Sequence, residues 1–308
     1  MSSGPPVPLR VWRPVAVLLI LAIAAVAALT TGQASATTPP SEPGFTPECT
    51  HLEEFEADDF PRRPFVNNKY LPMKPGMRTV FEGTVDGVPH RVEFIVTDLV
   101  KKINGVRSMV IWDTDLSEDE IVESELSFFA QDEDRNVWNL GEYPEEYENG
   151  ELVGAPNTWI AGEADAEAGI HMQPKPKVKP RQYIQGFAPE IDFFDCAKVV
   201  DKGERVCVAV GCFNDTLVTH ETNLAVPEDG IQSKTHAPHV GIIQIGAVEP
   251  ATGEILELVE RERLNRAEMK EARAAALELD ARGYEFGLDG GYDATSPAKR
   301  LSRDDDDD

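Results

Sequence analysis

The sequence predicts a mainly β fold: an antiparallel curved sheet or meander, half-barrel or sandwich-like, with one C-terminal α-helix. Three observations predict it. Between Lys69 and Glu260, short runs of alternating apolar and polar residues recur, as half-buried strands do. Asp86-Gly87, Asn104-Gly105 and Asn149-Gly150 stand between runs and supply the positive φ of two-residue hairpin turns. Beyond Glu260 the composition shifts to Ala, Glu, Leu and Arg, all good helix formers.

The elements follow in chain order. Arg10 and Arg13 precede an unbroken apolar run from Val15 to Leu29, and "QASA" then places Ala34 and Ala36 in a small-x-small arrangement. This pattern predicts a secretory signal peptide over residues 1–36, cleaved after Ala36, and hence a secreted, extracellular protein. The apolar run is shorter than the roughly 20 residues of a membrane span. No stable transmembrane span is expected after cleavage. The alternative is a membrane tether formed by an uncleaved N-terminal segment.

Residues 37–68 are rich in Pro and acids and read as an extended arm with little core material. Residues 69–260 read as one β-rich domain. Its strands include "RTVFEGTV", "HRVEFIVTDLV", "VRSMVIWDTD", "EIVESELSFFAQD" and, later, "FFDCAKVV", "DTLVTHETN", "GIIQIGAV" and "GEILELVE". Alternation with one polar face implies a sheet wet on one side. "GIHMQPKPKVKPRQ", residues 169–182, has three prolines and four basic residues and reads as a linker-like crossing outside the central sheet. Residues 261–283 read as the helix, with a thin stripe of Leu264, Met269, Ala272, Ala276 and Leu279 that predicts weak packing. Residues 284–308, ending in Asp304–Asp308, read as a disordered acidic tail.

Net charge is −26, and loss of residues 1–36 takes away two arginines and no acid, giving −28. Such a charge repels nucleic-acid phosphates and anionic membrane surfaces. No nucleic-acid partner is expected. The four cysteines of an exported chain read as two disulfides. Cys207 and Cys212 flank "VAVG", which can turn the chain back on itself, so they pair, leaving Cys49 with Cys196 by elimination.

The candidate sites are few. "QDEDRNVW" starts like a calcium loop, with Asp132, Asp134 and Asn136 at alternate positions. An EF-hand needs Gly at its sixth position and Glu at its twelfth. Val137 and Tyr143 stand there, so the segment reads as a turn between strands. "DTDLSEDE", residues 113–120, reads as a solvated acidic connection. His220, His236 and His239 form the one candidate metal set, since a hairpin of residues 216–222 with 232–236 brings the first two near each other. There is no G-x-S-x-G elbow and no Gly-rich phosphate loop, so no catalytic residue and no cofactor is assigned. Paired carboxylates carry no weight among 55 acids. Strand aromatics such as Phe81, Phe94, Phe128 and Phe129 read as core, or as the lining of a curved sheet around an apolar ligand.

"NNKYLPMKPGMRTVFEGT", "FFAQDEDRNVWNLGEYPEEYENGE" and "HAPHVGIIQIG" carry a resemblance. Over residues 65–259 the chain resembles an uncharacterised family of exported bacterial β-rich proteins. That family shares an LP-x-x-PG lead-in, a YEGT strand, an AQD-x-x-GNVW-x-x-GE hairpin and a YAPGVG segment. The chain departs from it at Arg135, where the family has Gly, and at His236 and His239, where it has Tyr and Gly. The resemblance implies export and a single β-rich domain, with no activity attached.

The function expected is a non-enzymatic secreted module that binds a ligand or partner, either an apolar small molecule or a cell-envelope component. The alternatives are an extracellular hydrolase using paired carboxylates and a cell-envelope interaction protein. An apolar cavity favours the first. Facing carboxylates of raised pKa favour the second.

Overall fold

Strong turn chemistry organises the chain. The computed structural model describes residues 49, 50, 52–178, 181–248 and 253–301. The expected signal peptide, its cleavage site, part of the Pro-rich arm and Asp304–Asp308 lie outside them. Asp86-Gly87, Asn104-Gly105 and Asn149-Gly150 all have positive φ at both residues, as primed hairpin turns require. Glu118-Asp119 makes a fourth such turn, which lacks a glycine and which the sequence did not announce.

Twelve strands follow: β1 (Met77–Val85), β2 (Val88–Ile103), β3 (Val106–Ser117), β4 (Glu120–Gln131), β5 (Val137–Glu148) and β6 (Glu167–Met172). The second half is β7 (Tyr183–Ala188), β8 (Phe193–Lys202), β9 (Leu217–Asn223), β10 (Gln232–Ala237), β11 (Gly241–Ala247) and β12 (Ile255–Arg263). Each pairs antiparallel with the next, and β12 pairs with β1. The meander is therefore a closed barrel, not a half-barrel, and closure removes the free sheet edges. Gly83 permits the closing ladder. A Cβ there would stand 1.8 Å from the Ile255 carbonyl oxygen.

The segment read as a linker contributes to the ring. β6 lies inside it from Gly169 to Met172 and bridges β5 and β7. Pro174 and the prolines after it come only once the strand has ended, so the proline argument holds for the following residues alone.

One helix, α1 (Arg266–Phe286), packs on the outside of the barrel. Asn265 caps it, accepting from the backbone N–H groups of Ala267 and Glu268, while Glu268 accepts from the Asn265 N–H. It starts later than the sequence suggested because residues 261–263 still belong to β12. Its apolar stripe is thin, as expected, but polar latches anchor it. Lys101 Nζ donates to Asp280 at 2.7 Å, Arg273 forks onto Asp98, and Arg282 forks onto Glu145. Residues 287–301, expected to be disordered, fold back onto the barrel. Tyr292 is fully buried against Phe128, Tyr143 and Tyr284, and Lys299–Arg300 pairs with β2. The signal missed was one aromatic with no periodic neighbours.

The arm also has core material. Phe55 and Phe60 pack against Trp138 with ring centroids 5.5 and 6.0 Å away. Cys49 is bonded to Cys196 in β8, and Cys207 to Cys212 across a two-stranded ribbon, Val206–Val208 with Gly211–Phe213. Residues Val66 to Met73 turn in over one end of the lumen, where Tyr70, Leu71 and Met73 join Met109, Ile111 and Phe129.

Candidate binding site in the barrel lumen

Strand alternation decides which side chains meet inside. On β3, Ile111, Asp113 and Asp115 share one face. Register places Val96 opposite Ile111, Phe94 opposite Asp113 and Val92 opposite Asp115. On the other side of β3, Ser127, Glu125 and Glu123 stand opposite the same three. Glu142 of β5 then pairs with Ser127. The pleat thus gathers Asp113, Asp115, Glu123, Glu125 and Glu142 on one inner wall. Asp113 and Asp115 were read as a solvated connection. Instead they are strand residues, and the turn itself is Glu118-Asp119. Acids at period two are invisible as a site until the register is known.

The opposite wall carries a polar network. Lys234 Nζ lies 2.6 Å from Glu221 Oε2. Thr219 Oγ1 donates to Glu221 Oε1 at 2.9 Å and lies 3.2 Å from His236 Nε2. Gln185 donates to the His171 carbonyl and to Glu221. Asp195, on β8, completes the ring of acids.

Between the walls lies a cavity of about 280 Å³. Its apolar lining includes Phe81, Phe94, Phe129, Ile111 and Ile245, and its polar groups include Asp113, Glu125, Glu142, His171 and Lys234. Exposed Lys74 and Arg261 stand at the rim.

Enclosure sets the electrostatics. The acidic side chains are half-buried, keeping some surface toward the lumen while the barrel wall removes much of their water. Desolvation, then mutual repulsion, pushes the Asp113 and Glu125 carboxyls well above the carboxylate range. The same causes push Glu123 up to about 7. Desolvation raises Glu142 as well, opposed by hydrogen bonds from Trp159 and Asn139. Asp195 is pushed up to about 7, chiefly by desolvation. Burial would also raise Glu221, but Lys234 and His171 outweigh it and hold Glu221 at about 2. Desolvation lowers His171 and His236 to about 4, so both are neutral at pH 7.

The three metal-candidate histidines do not converge. β9 and β10 do pair, but His220 stands opposite Ser233, while His236 stands opposite Leu217. Residues 217 and 220 differ by an odd number, so His220 and His236 point to opposite faces of the sheet. His239 sits in an exposed turn with φ 63°. Among the described residues no three His, Cys, Asp or Glu side chains are grouped to hold a metal ion. The acids of the lumen wall are the functional candidates that the sequence reading did not pick out.

Asp132 belongs to a turn. Its Oδ1 accepts from the Asn136 N–H at 2.8 Å, and its Oδ2 accepts from Asn136 Nδ2 and Trp138 Nε1 at 2.7 and 2.8 Å. Arg135 takes the left-handed region at φ 72°, a position that favours glycine.

No protein-family model matches the chain. No curated protein matches it either. Two solved structures are similar, each at 12% identity over 64% of this chain and 100% of the other. One is described as an exported protein with a YmcC-like fold from Bacteroides fragilis (TM-score 0.35). The other is described as a lipoprotein from Parabacteroides distasonis (TM-score 0.30). Likeness at that level carries no argument. Among the described residues no helix is long and apolar enough to cross a membrane.

Proposed function

We propose that this protein is an exported binding module whose barrel lumen takes a small, largely apolar molecule. The observation that carries the reading is the cavity of about 280 Å³, walled by aromatic and aliphatic side chains with a few polar groups on two facing walls. At roughly 30 Å³ per water it holds about nine waters, the space of a molecule of about ten non-hydrogen atoms. Export rests on the N-terminal sequence: a basic head, an apolar run and a small-residue cleavage site.

The test is calorimetric titration of the full, oxidised chain with octanol, beside a Ser127→Trp variant. Ser127 lines the cavity, so the indole fills it. Saturable binding by the native chain that is lost in the variant supports the reading. Binding that survives the variant places the alcohol elsewhere and sinks it.

One observation favours a hydrolytic reading instead. Asp113 and Glu125 are direct cross-strand neighbours of raised pKa, and glycoside hydrolysis uses two carboxyl groups of unequal protonation. Turnover of aryl glycosides, abolished by Asp113→Asn, would establish it. The mainly apolar lining of the lumen favours binding.

A further inference from the structure

We infer that the ligand of the lumen is a primary amine, its apolar body among the aromatic residues and its ammonium group against Asp113, Glu125 and Glu142. This rests on the lumen being the binding site.

The first argument is charge. Asp115 is answered by His90, and Glu221 by Lys234. Asp113, Glu125 and Glu142 line the cavity and make no ion pair among the described residues. Glu142 accepts only from the neutral donors of Asn139 and Trp159. Without a cation these acids are held toward their protonated form, and a ligand cation would let them ionise, because buried charges are normally paired.

The second argument is independent of charge and concerns which hydrogen-bonding atoms stay unused. Among the described residues Asp113 Oδ1 and Gln185 Oε1 are sealed from solvent and have no hydrogen-bond partner. The Gln185 oxygen is an acceptor by chemistry, and the Asp113 oxygen accepts once its carboxyl ionises. The Gln185 amide is oriented by its Nε2 donating to the His171 carbonyl. The polar wall therefore holds a spare acceptor in Gln185 and, once Asp113 ionises, a second in its carboxylate, beside one spare donor in the Tyr183 hydroxyl. An ammonium group is three donors and no acceptor. A carboxylate ligand would add more acceptors and more negative charge.

The cations near the cavity do not reverse this. Lys234 is bonded to Glu221 and only partly offsets the raised pKa values of Glu125 and Glu142, and His171 is neutral at pH 7. Lys74 and Arg261 are exposed at the rim, where water and salt screen them.

A proton balance follows. Around Asp113 stand Asp115 on its own strand, Glu123 and Glu125 on β4, and Glu142 and Glu146 on β5. Across the lumen stand Asp195, Glu221, Lys234, His171 and His236. With Glu123 and Asp195 at about 7 and Asp113 and Glu125 raised well above the carboxylate range, an arriving ammonium displaces protons to solvent. Its affinity therefore rises with pH until the free amine itself loses its proton.

Octylamine, octanol and octanoate test this, titrated into the full, oxidised chain in about 0.3 M salt, which screens attachment to exposed acids. Octylamine is expected to bind at least tenfold more tightly than octanol, and octanoate most weakly. Octylamine affinity is expected to rise at least tenfold from pH 6 to pH 8, while that of octanol stays constant. In Asp113→Asn with Glu125→Gln the amine advantage disappears and octanol affinity is retained. The variant removes two acids that desolvation and mutual repulsion disfavour, and its melting transition checks that it folds. Octanol or octanoate binding as tightly as octylamine overturns the inference and leaves the lumen reading standing. So does a preference for amine that survives the double variant or Ser127→Trp. If none of the three binds, the lumen reading fails and this inference with it.

Discussion

Asp113 and Glu125 stand directly opposite each other on β3 and β4, both facing the lumen, with no cation paired to either among the described residues. Two acids in that relation are stable only while at least one keeps its proton. Much of the solution behaviour of this protein follows from that pair and its neighbours.

Stability is expected to fall as pH rises from the ordinary carboxylate range through neutrality. Asp113, Glu123, Glu125 and Asp195 have folded-state pKa values above the ordinary range, two of them at about 7. Between their unfolded and folded values the native state holds more protons than the unfolded chain, so stability declines with pH. His171 and His236 act oppositely, but only from about 4 to their ordinary value near 6.5. Above that value the acids act alone, and each proton is worth about 1.4 kcal/mol per pH unit. Glu221, held at about 2, adds stability that is lost on strong acidification. Melting measured from pH 5 to 8.5 should show its steepest loss as pH approaches about 7, above the histidine range and before Glu123 and Asp195 have ionised in the folded state. A flatter profile is expected for Asp113→Asn.

Removal of Asp280 should detach the helix. Lys101 is 1% exposed, and its ammonium meets Asp280, the Tyr284 hydroxyl and the Ser296 carbonyl. Burial already lowers its pKa. Asp280→Ala leaves this cation with no countercharge and should destabilise by about 3–5 kcal/mol in urea unfolding. The double variant Lys101→Met with Asp280→Leu should recover most of that loss, since a packed apolar pair replaces a buried ionic one.

Asp132→Ala should weaken the fold equally with and without calcium. The carboxylate accepts three hydrogen bonds that hold the β4–β5 turn and the Trp138 indole. Leaving these donors unpaired should reduce stability by about 1–3 kcal/mol. A melting comparison in chelator and in millimolar calcium checks it. A calcium-specific rise abolished by the variant would mean that the carboxylate serves a metal.

The two disulfides should differ in weight. Cys49 and Cys196 are 147 residues apart, and Cys207 and Cys212 are five apart. In the chain-entropy model the first contributes about 5 kcal/mol and the second about 2 kcal/mol. Paired Cys→Ser variants compared in urea should follow that order. Peptide mapping without reductant should recover both linked pairs.

The sequence was most readable where structure is local. Asp86-Gly87 and Asn104-Gly105 marked their turns because positive φ restricts residue type within two positions. The meander followed from strands joined by such turns. Glu167–Met172 escaped because its neighbours lie in β5 and β7, and its own six residues have no distinctive pattern. The lumen site escaped for the same reason. Nothing near Asp113 in sequence says that Glu125 and Glu142 will face it, and acids at alternate positions read equally well as a wet surface. The polar latches of α1 are another such case: Lys101 and Asp280 are each unremarkable alone.

Barrel closure has a consequence for how the chain folds. Eleven of the twelve inter-strand ladders join consecutive strands and can form by local zipping, with little chain to bring together. The twelfth, from Ile255 opposite Thr84 to Arg263 opposite Met77, joins segments more than 170 residues apart. Loop-closure entropy and contact order fall almost wholly on that one ladder. The strip is expected to assemble first and its ends to meet last, with α1, which follows β12 directly and is pinned to β2 through Lys101, drawing the seam shut. Weakening that clamp should therefore speed unfolding more than it slows folding.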